Sequence, residues 1–209
     1  MLRKLTVFNL LSVFSEGKCL NDLNQLWMKS NLGWTVPQTA NWTISYGVAM
    51  FFSGYLAKFA IPVCGPRLFT HCAYACGLGA MMINATQQSV TGFWAGLLVN
   101  FPAINGIGGS AMKAIATAEA IEGAGMGGGE YAGAYANLRA FIYIIGPLLY
   151  SRLYARFSLS GTAGNTWFAV ALIGFLLPEM LHLSWKDSEL FPKKRTKQLK
   201  EGSVALEEG

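Results

Sequence analysis

The chain reads as an all-α, polytopic membrane protein of six transmembrane helices. Three observations predict this. First, 53% of the 209 residues are apolar and only 13% are Asp, Glu, Lys or Arg, against about 25% charged in a soluble domain. Second, the charge is bunched: no charged residue lies between Lys29 and Lys58, and none occurs in the 45 residues from Leu68 to Met112. A membrane helix needs roughly 20 mostly apolar residues, so that second run holds two helices and a turn. Third, turn chemistry separates the apolar runs, with Cys64-Gly65-Pro66 as the tightest break.

The spans predicted are Leu5–Trp27, Trp42–Val63, Leu68–Ala85, Gly92–Met112, Tyr131–Tyr150 and Asn165–Trp185. Together they make a bundle over residues 1–185, with a polar, charged tail at 186–209. The first span is the least apolar, because Glu16, Lys18 and Asp22 lie inside it. Arg139 interrupts the fifth. Gly123 to Gly129 is glycine-dense and expected to be a flexible loop, and Ser158–Gly164 a short polar turn. Pro102, Pro147 and Pro178 fall within spans, where neighbouring helices can satisfy the freed backbone groups. Met1–Phe14 has a basic start and an apolar run, but Glu16 and Lys18 follow where small residues would mark cleavage. The segment is therefore expected to be a retained helix.

Charge placement orients the bundle. With the N-terminus in the cytoplasm, that side holds Arg3, Lys4, Lys58, Arg67, Lys113, Arg139, Lys186, Lys193, Lys194, Arg195, Lys197 and Lys200. The far side holds Lys18, Lys29, Arg152 and Arg156. The positive-inside rule then puts both termini in the cytoplasm, or on the stromal or matrix side of an organelle membrane. Two sequons, Asn41-Trp42-Thr43 and Asn84-Ala85-Thr86, fall on the far side. The basic run in the tail suits either anionic lipid headgroups or plain solvent, not nucleic acid.

Several patterns limit the chemistry. The glycines at 123–129 lack the Gly-Lys-Ser/Thr of a phosphate loop, so no enzyme activity is expected. Cys19, Cys64, Cys72 and Cys76 read as small packing residues. His71 is expected to point away from Cys72 and Cys76, and no metal centre is expected. The cofactor is unknown.

Two stretches resemble the major facilitator superfamily. Gly54-Tyr55-Leu56-Ala57-Lys58, followed by Gly65-Pro66-Arg67, is similar to the signature loop joining the second and third helices of a six-helix half. Lys58 stands where an acid is common, as in the degenerate copy of the second half. Ala111-Met112-Lys113-Ala114-Ile115, Gly133-Ala134-Tyr135-Ala136-Asn137-Leu138-Arg139 and Gly146-Pro147-Leu148-Leu149 resemble the fourth-to-fifth helix connection of tetracycline-resistance-like facilitators. Ser15-Glu16-Gly17 and Leu32-Gly33-Trp34 suit the same half. The resemblance implies a solute site between two such halves, with the first helix of this half lining it.

On that reading Glu16, Lys18, Asp22, Asn100 and Asn105 are candidates for substrate or proton contact. Alternatively the first segment is tilted or interfacial, and its charges sit among headgroups. Lys18 and Asp22, four apart, are expected to pair. Asn100 and Asn105 read as helix glue or substrate contacts, and Gly106, Gly108 and Gly109 as packing residues or a bend. Glu179 and His182 share a face of the last span, as a proton relay or a snorkelling pair. Arg139 reads as an interfacial anchor or a partner for Glu130, and Arg67 as a brace for helix ends. Both are structural roles that would gate a transporter.

On this resemblance the chain would be one facilitator half. It would move a small solute, in a proton-coupled manner if Glu16 or Asp22 takes part, when paired with a second half or a copy of itself. The alternative is a non-transporting accessory subunit docked in a larger membrane complex, such as an energy-transducing or pigment–protein assembly.

Overall fold

A computed structural model describes residues 1–185, and every regular element in it is helical. The tail expected at 186–209 lies outside the described residues. Helix α1 runs Leu2–Val13 and α2 Gly17–Ser30. The first span is therefore not the continuous Leu5–Trp27. It breaks at Phe14–Glu16, where Glu16 turns extended (φ −74°, ψ 151°) and precedes the first residue of α2.

Helix α3 covers Val36–Cys64. It opens with a reciprocal cap, in which the Thr35 backbone N–H donates to Gln38 Oε1 at 2.8 Å. It stops where Gly65 takes φ +85°, a left-handed value that suits glycine. Pro66 then opens α4, Pro66–Thr86, at the position where a missing N–H costs nothing. The predicted break at Cys64-Gly65-Pro66 is observed.

The fourth span departs from expectation. Helix α5 is only Val90–Val99, and α6 is Ser110–Ala118. Between them lies a short 3₁₀ stretch, Ile104–Gly109, in which Asn105 (φ 51°) and Gly106 (φ 76°) are left-handed. Gly106 marks a bend rather than mere packing. A wide π turn, Glu119–Gly123, follows α6, so the flexible loop shrinks to the residues before α7, Gly128–Leu159. Helix α8 (Asn165–Ala171) passes through a π turn at Leu172–Leu176 into α9, Leu177–Leu183.

Four stretches are long and apolar enough to cross a bilayer: Val36–Cys64, Val90–Gly123, Gly128–Leu159 and Asn165–Leu183. Helix α4, with 21 residues, has the length. It is not among the four, and His71, Tyr74 and Asn84 make it more polar. It packs against α5 and α8, while α2 lies along α7 and α1 meets α6, α7 and α9.

An aromatic cluster joins these elements. The Trp27 ring lies edge-on to Tyr154 (6.3 Å) and Trp167 (5.6 Å), and Phe93 bridges Trp167 to Trp42 (6.1 and 5.1 Å). Trp27→Ala removes a fully buried ring and is expected to cost about 3–5 kcal/mol. Thermal unfolding in detergent checks this, and Trp27→Phe should restore most of the loss. Helices α3 and α7 are different. Only 11% of the apolar window of each is buried, against 44% for Asn165–Leu183, so both present long apolar faces outward, suited to lipid.

Candidate functional site

Two of the helix breaks meet at one carboxylate. Glu16 is fully buried. Its Oε1 accepts from Lys113 Nζ of α6 at 2.9 Å. Its Oε2 accepts from Arg139 Nε (3.1 Å) and Nη2 (2.5 Å), and from the Tyr143 hydroxyl (2.5 Å), both on α7. Arg139 and Tyr143 are one turn apart, and the guanidinium also stands 5.1 Å over the Tyr143 ring. A charge withdrawn from water is costly unless paired and hydrogen-bonded, and here donors from two other helices satisfy it. Two cations face one anion, so the cluster keeps one formal positive charge.

The second break supports the first. Asn105 Oδ1 accepts the Gly17 backbone N–H at 3.0 Å, filling one of the donors left open at the start of α2. Gly106 brings its backbone so close that a Cβ there would lie 3.0 Å from Glu16 Oε1. Beside this junction lies a wide groove, open to the surface, of about 540 Å³, lined by Lys18, Asn21, Asp22, Tyr46, Asn105 and Tyr143. Non-helical backbone at membrane depth is tolerated where protein buries it or where it borders a polar cavity.

The predicted residues fall into three groups. Glu16 anchors the cluster, and Lys18, Asp22 and Asn105 line the groove. Lys18 does not pair with Asp22 as expected; its ammonium stands 5.1 Å from the Tyr143 ring centroid. Arg139 lies within α7 and pairs with Glu16, not with Glu130. Asn100 belongs elsewhere. With Asn84, Trp42 and Trp167 it borders a separate cavity of about 30 Å³, room for a water or two. The amide oxygens of Asn84 and Asn100 and both indole N–H groups have no partner among the described residues, which suits a hydrated pocket better than direct helix glue.

Of the signature-like residues, Gly54 and Lys58 are exposed on α3 and Gly65 forms the turn. Arg67 donates from Nη2 to the Trp185 carbonyl at 2.8 Å, bracing the end of α9. Glu179 and His182 share a face of α9, and His71 of α4 joins them. Of the four cysteines only Cys19 is buried; Cys64 and Cys72 are exposed and Cys76 half-buried, so core packing describes one of them.

Sequence reasoning missed Lys113, Tyr143 and Tyr46 as site residues. A signal existed for Lys113: a lone cation at the edge of a 45-residue uncharged run asks for a buried anion. No family model matches the chain, and no curated protein or solved structure matches it either.

Proposed function

We propose that the chain is one six-helix half of a facilitator-type membrane carrier for a small polar solute. On this reading α1–α2 and α4 serve as spans alongside the four apolar stretches. The observation that carries it is the junction of two broken helices on a buried, doubly paired carboxylate beside an open groove that Lys18, Asn21, Asp22 and Asn105 border. Discontinuous helices that meet at depth are how secondary transporters expose backbone and charge to cargo.

The net formal charge of the cluster favours a solute with an anionic group. Lys18 and Asp22 cancel across the groove, and the surplus charge of Lys113 and Arg139, which do not line it, lies in the adjoining Glu16 cluster. Glu16 is the group through which a proton would couple to the solute. It can take a proton only by releasing its cations, and that release would loosen α2 from α6 and α7. The exposed apolar faces of α3 and α7 leave surface for lipid and for a second half or a second copy. Both termini lie on the cytoplasmic side, or its organellar equivalent, by the charge count given above.

The test uses the full chain purified in mild detergent. It is titrated with a panel of small organic acids, amines and neutral sugars while its melting temperature is followed. At least one acid is expected to stabilise the protein, with an affinity reduced about tenfold by Lys18→Gln, about 1.4 kcal/mol. Stabilisation by no solute, together with purification in fixed stoichiometry within a larger complex, would replace this reading with that of an accessory subunit.

A further inference from the structure

At the Arg67–Trp185 end of the bundle, α4 and α9 bring His71, Glu179 and His182 together, away from the groove beside Glu16. One ligand atom from each of the three residues lies within 4.8 Å of the others. His71 Nδ1 contacts Glu179 Oε1, and His182 Nδ1 lies 3.8 Å from Glu179 Oε2. The two imidazoles stack at 4.2 Å with 21° between their planes. His182 is completely buried, and among the described residues neither of its ring nitrogens has a hydrogen-bond partner; Glu179 Oε2 has none either. The rings of Phe8 (5.5 Å) and Trp185 (5.6 Å) wall the His182 imidazole off from other polar groups.

A buried imidazole and a carboxylate oxygen left without partners cost about 1–3 kcal/mol each. Something that accepts lone pairs from both would remove that cost. We propose that His71, Glu179 and His182 form a binding site for a divalent metal ion of the zinc class, with a fourth position open and α4 tied to α9. Two imidazoles and one carboxylate are a donor set that zinc takes, at about 2.0–2.2 Å per bond. Tetrahedral ligand atoms then stand about 3.3–3.5 Å apart, so His71 Nδ1 and Glu179 Oε1 move apart, His182 Nδ1 draws in from 3.8 Å, and the stacked imidazoles turn so that both lone pairs meet the ion. Glu179 supplies the anionic ligand. Arg67 opposes the ion: its Nε donates to His71 Nε2 at 3.3 Å, which fixes the proton of His71 on Nδ1. Metal on Nδ1 moves that proton to Nε2, so Arg67 releases the ring and keeps its bond to the Trp185 carbonyl.

The experiment uses the full chain in detergent with Cys64, Cys72 and Cys76 changed to Ser, because thiolates are competing zinc ligands. The protein is stripped with chelator, loaded with zinc chloride, desalted and analysed for metal. One zinc per chain is expected, with an affinity at least about tenfold lower in His182→Gln. No retained zinc overturns the site. So does zinc retained equally well by the variant. Should His182→Gln fail to fold, cobalt loaded into the protein with its histidines intact decides the matter. Visible bands of tetrahedral nitrogen–oxygen ligation support the site, and their absence overturns it.

Discussion

Glu16→Gln is expected to be the most damaging single conservative change in the molecule. The substitution keeps the shape and removes the charge that Lys113 and Arg139 share. Breaking one side of a buried ion pair costs about 3–5 kcal/mol, because the partner charge is left uncompensated. The Lys113 and Arg139 side chains keep 27% and 38% of their exposure, so water recovers part of that. A loss of about 2–4 kcal/mol is expected, read as a lower melting temperature in detergent. Removing a repelled cation as well should help: Glu16→Gln with Arg139→Gln is expected to be more stable than the sum of the single changes. Glu16→Gln is also expected to abolish solute uptake in reconstituted vesicles at expression levels that remain measurable. An unchanged melting temperature would show that the carboxylate does not hold α2 to α6 and α7. Unchanged uptake would remove it from the proposed proton coupling.

Gly106→Ala is the second large effect, for a backbone reason. At φ +76° an L-residue carries strain of about 1–3 kcal/mol. The new Cβ would also press on Glu16, 3.0 Å from Oε1 and 3.1 Å from Cγ, with the carboxylate already held on both oxygens. The strain and the displacement act on the same point, so solute binding should fall together with stability. Gly133→Ala on α7 is the control. Its Cβ would meet nothing within 4 Å, and the helix gains a better helix former. It should be neutral or slightly stabilising in the same melting assay. Equal effects from the two substitutions would mean that the left-handed bend is not required.

The apolar runs, the break at Gly65-Pro66 and the polarity of the first segment were legible in the sequence because each is local. Hydropathy is averaged along the chain and a turn is written in adjacent residues. The breaks at Glu16 and at Asn105-Gly106 were only partly legible: charge marks the first and glycine the second, but neither says where a helix stops or that the two stops meet. The first persists because the second supplies a hydrogen bond it lacks, from the Gly17 N–H to Asn105 Oδ1. Arg139 was misjudged for a related reason. Beside Glu130 on its own helix it looks like an interfacial residue, but its partner lies 123 positions earlier. His71 was weighed against the cysteines on its own helix, while Glu179 stands 108 positions away. Chemistry carried by residues on different helices becomes readable only once the packing is known. Asp22 and Lys18 show the limit from the other side: spacing of four permits a pair, and the Tyr143 ring draws the ammonium elsewhere.

The hydrogen bond between Gly17 and Asn105 has a mechanical consequence. It joins two kinks that belong to different helices, like a pin through two hinges. Neither kink can straighten or swing without pulling the pin, and Glu16, one residue away, is dragged with it. The cost of flexing the α1–α2 break is therefore shared with the α5–α6 break, and the two bend together rather than one at a time.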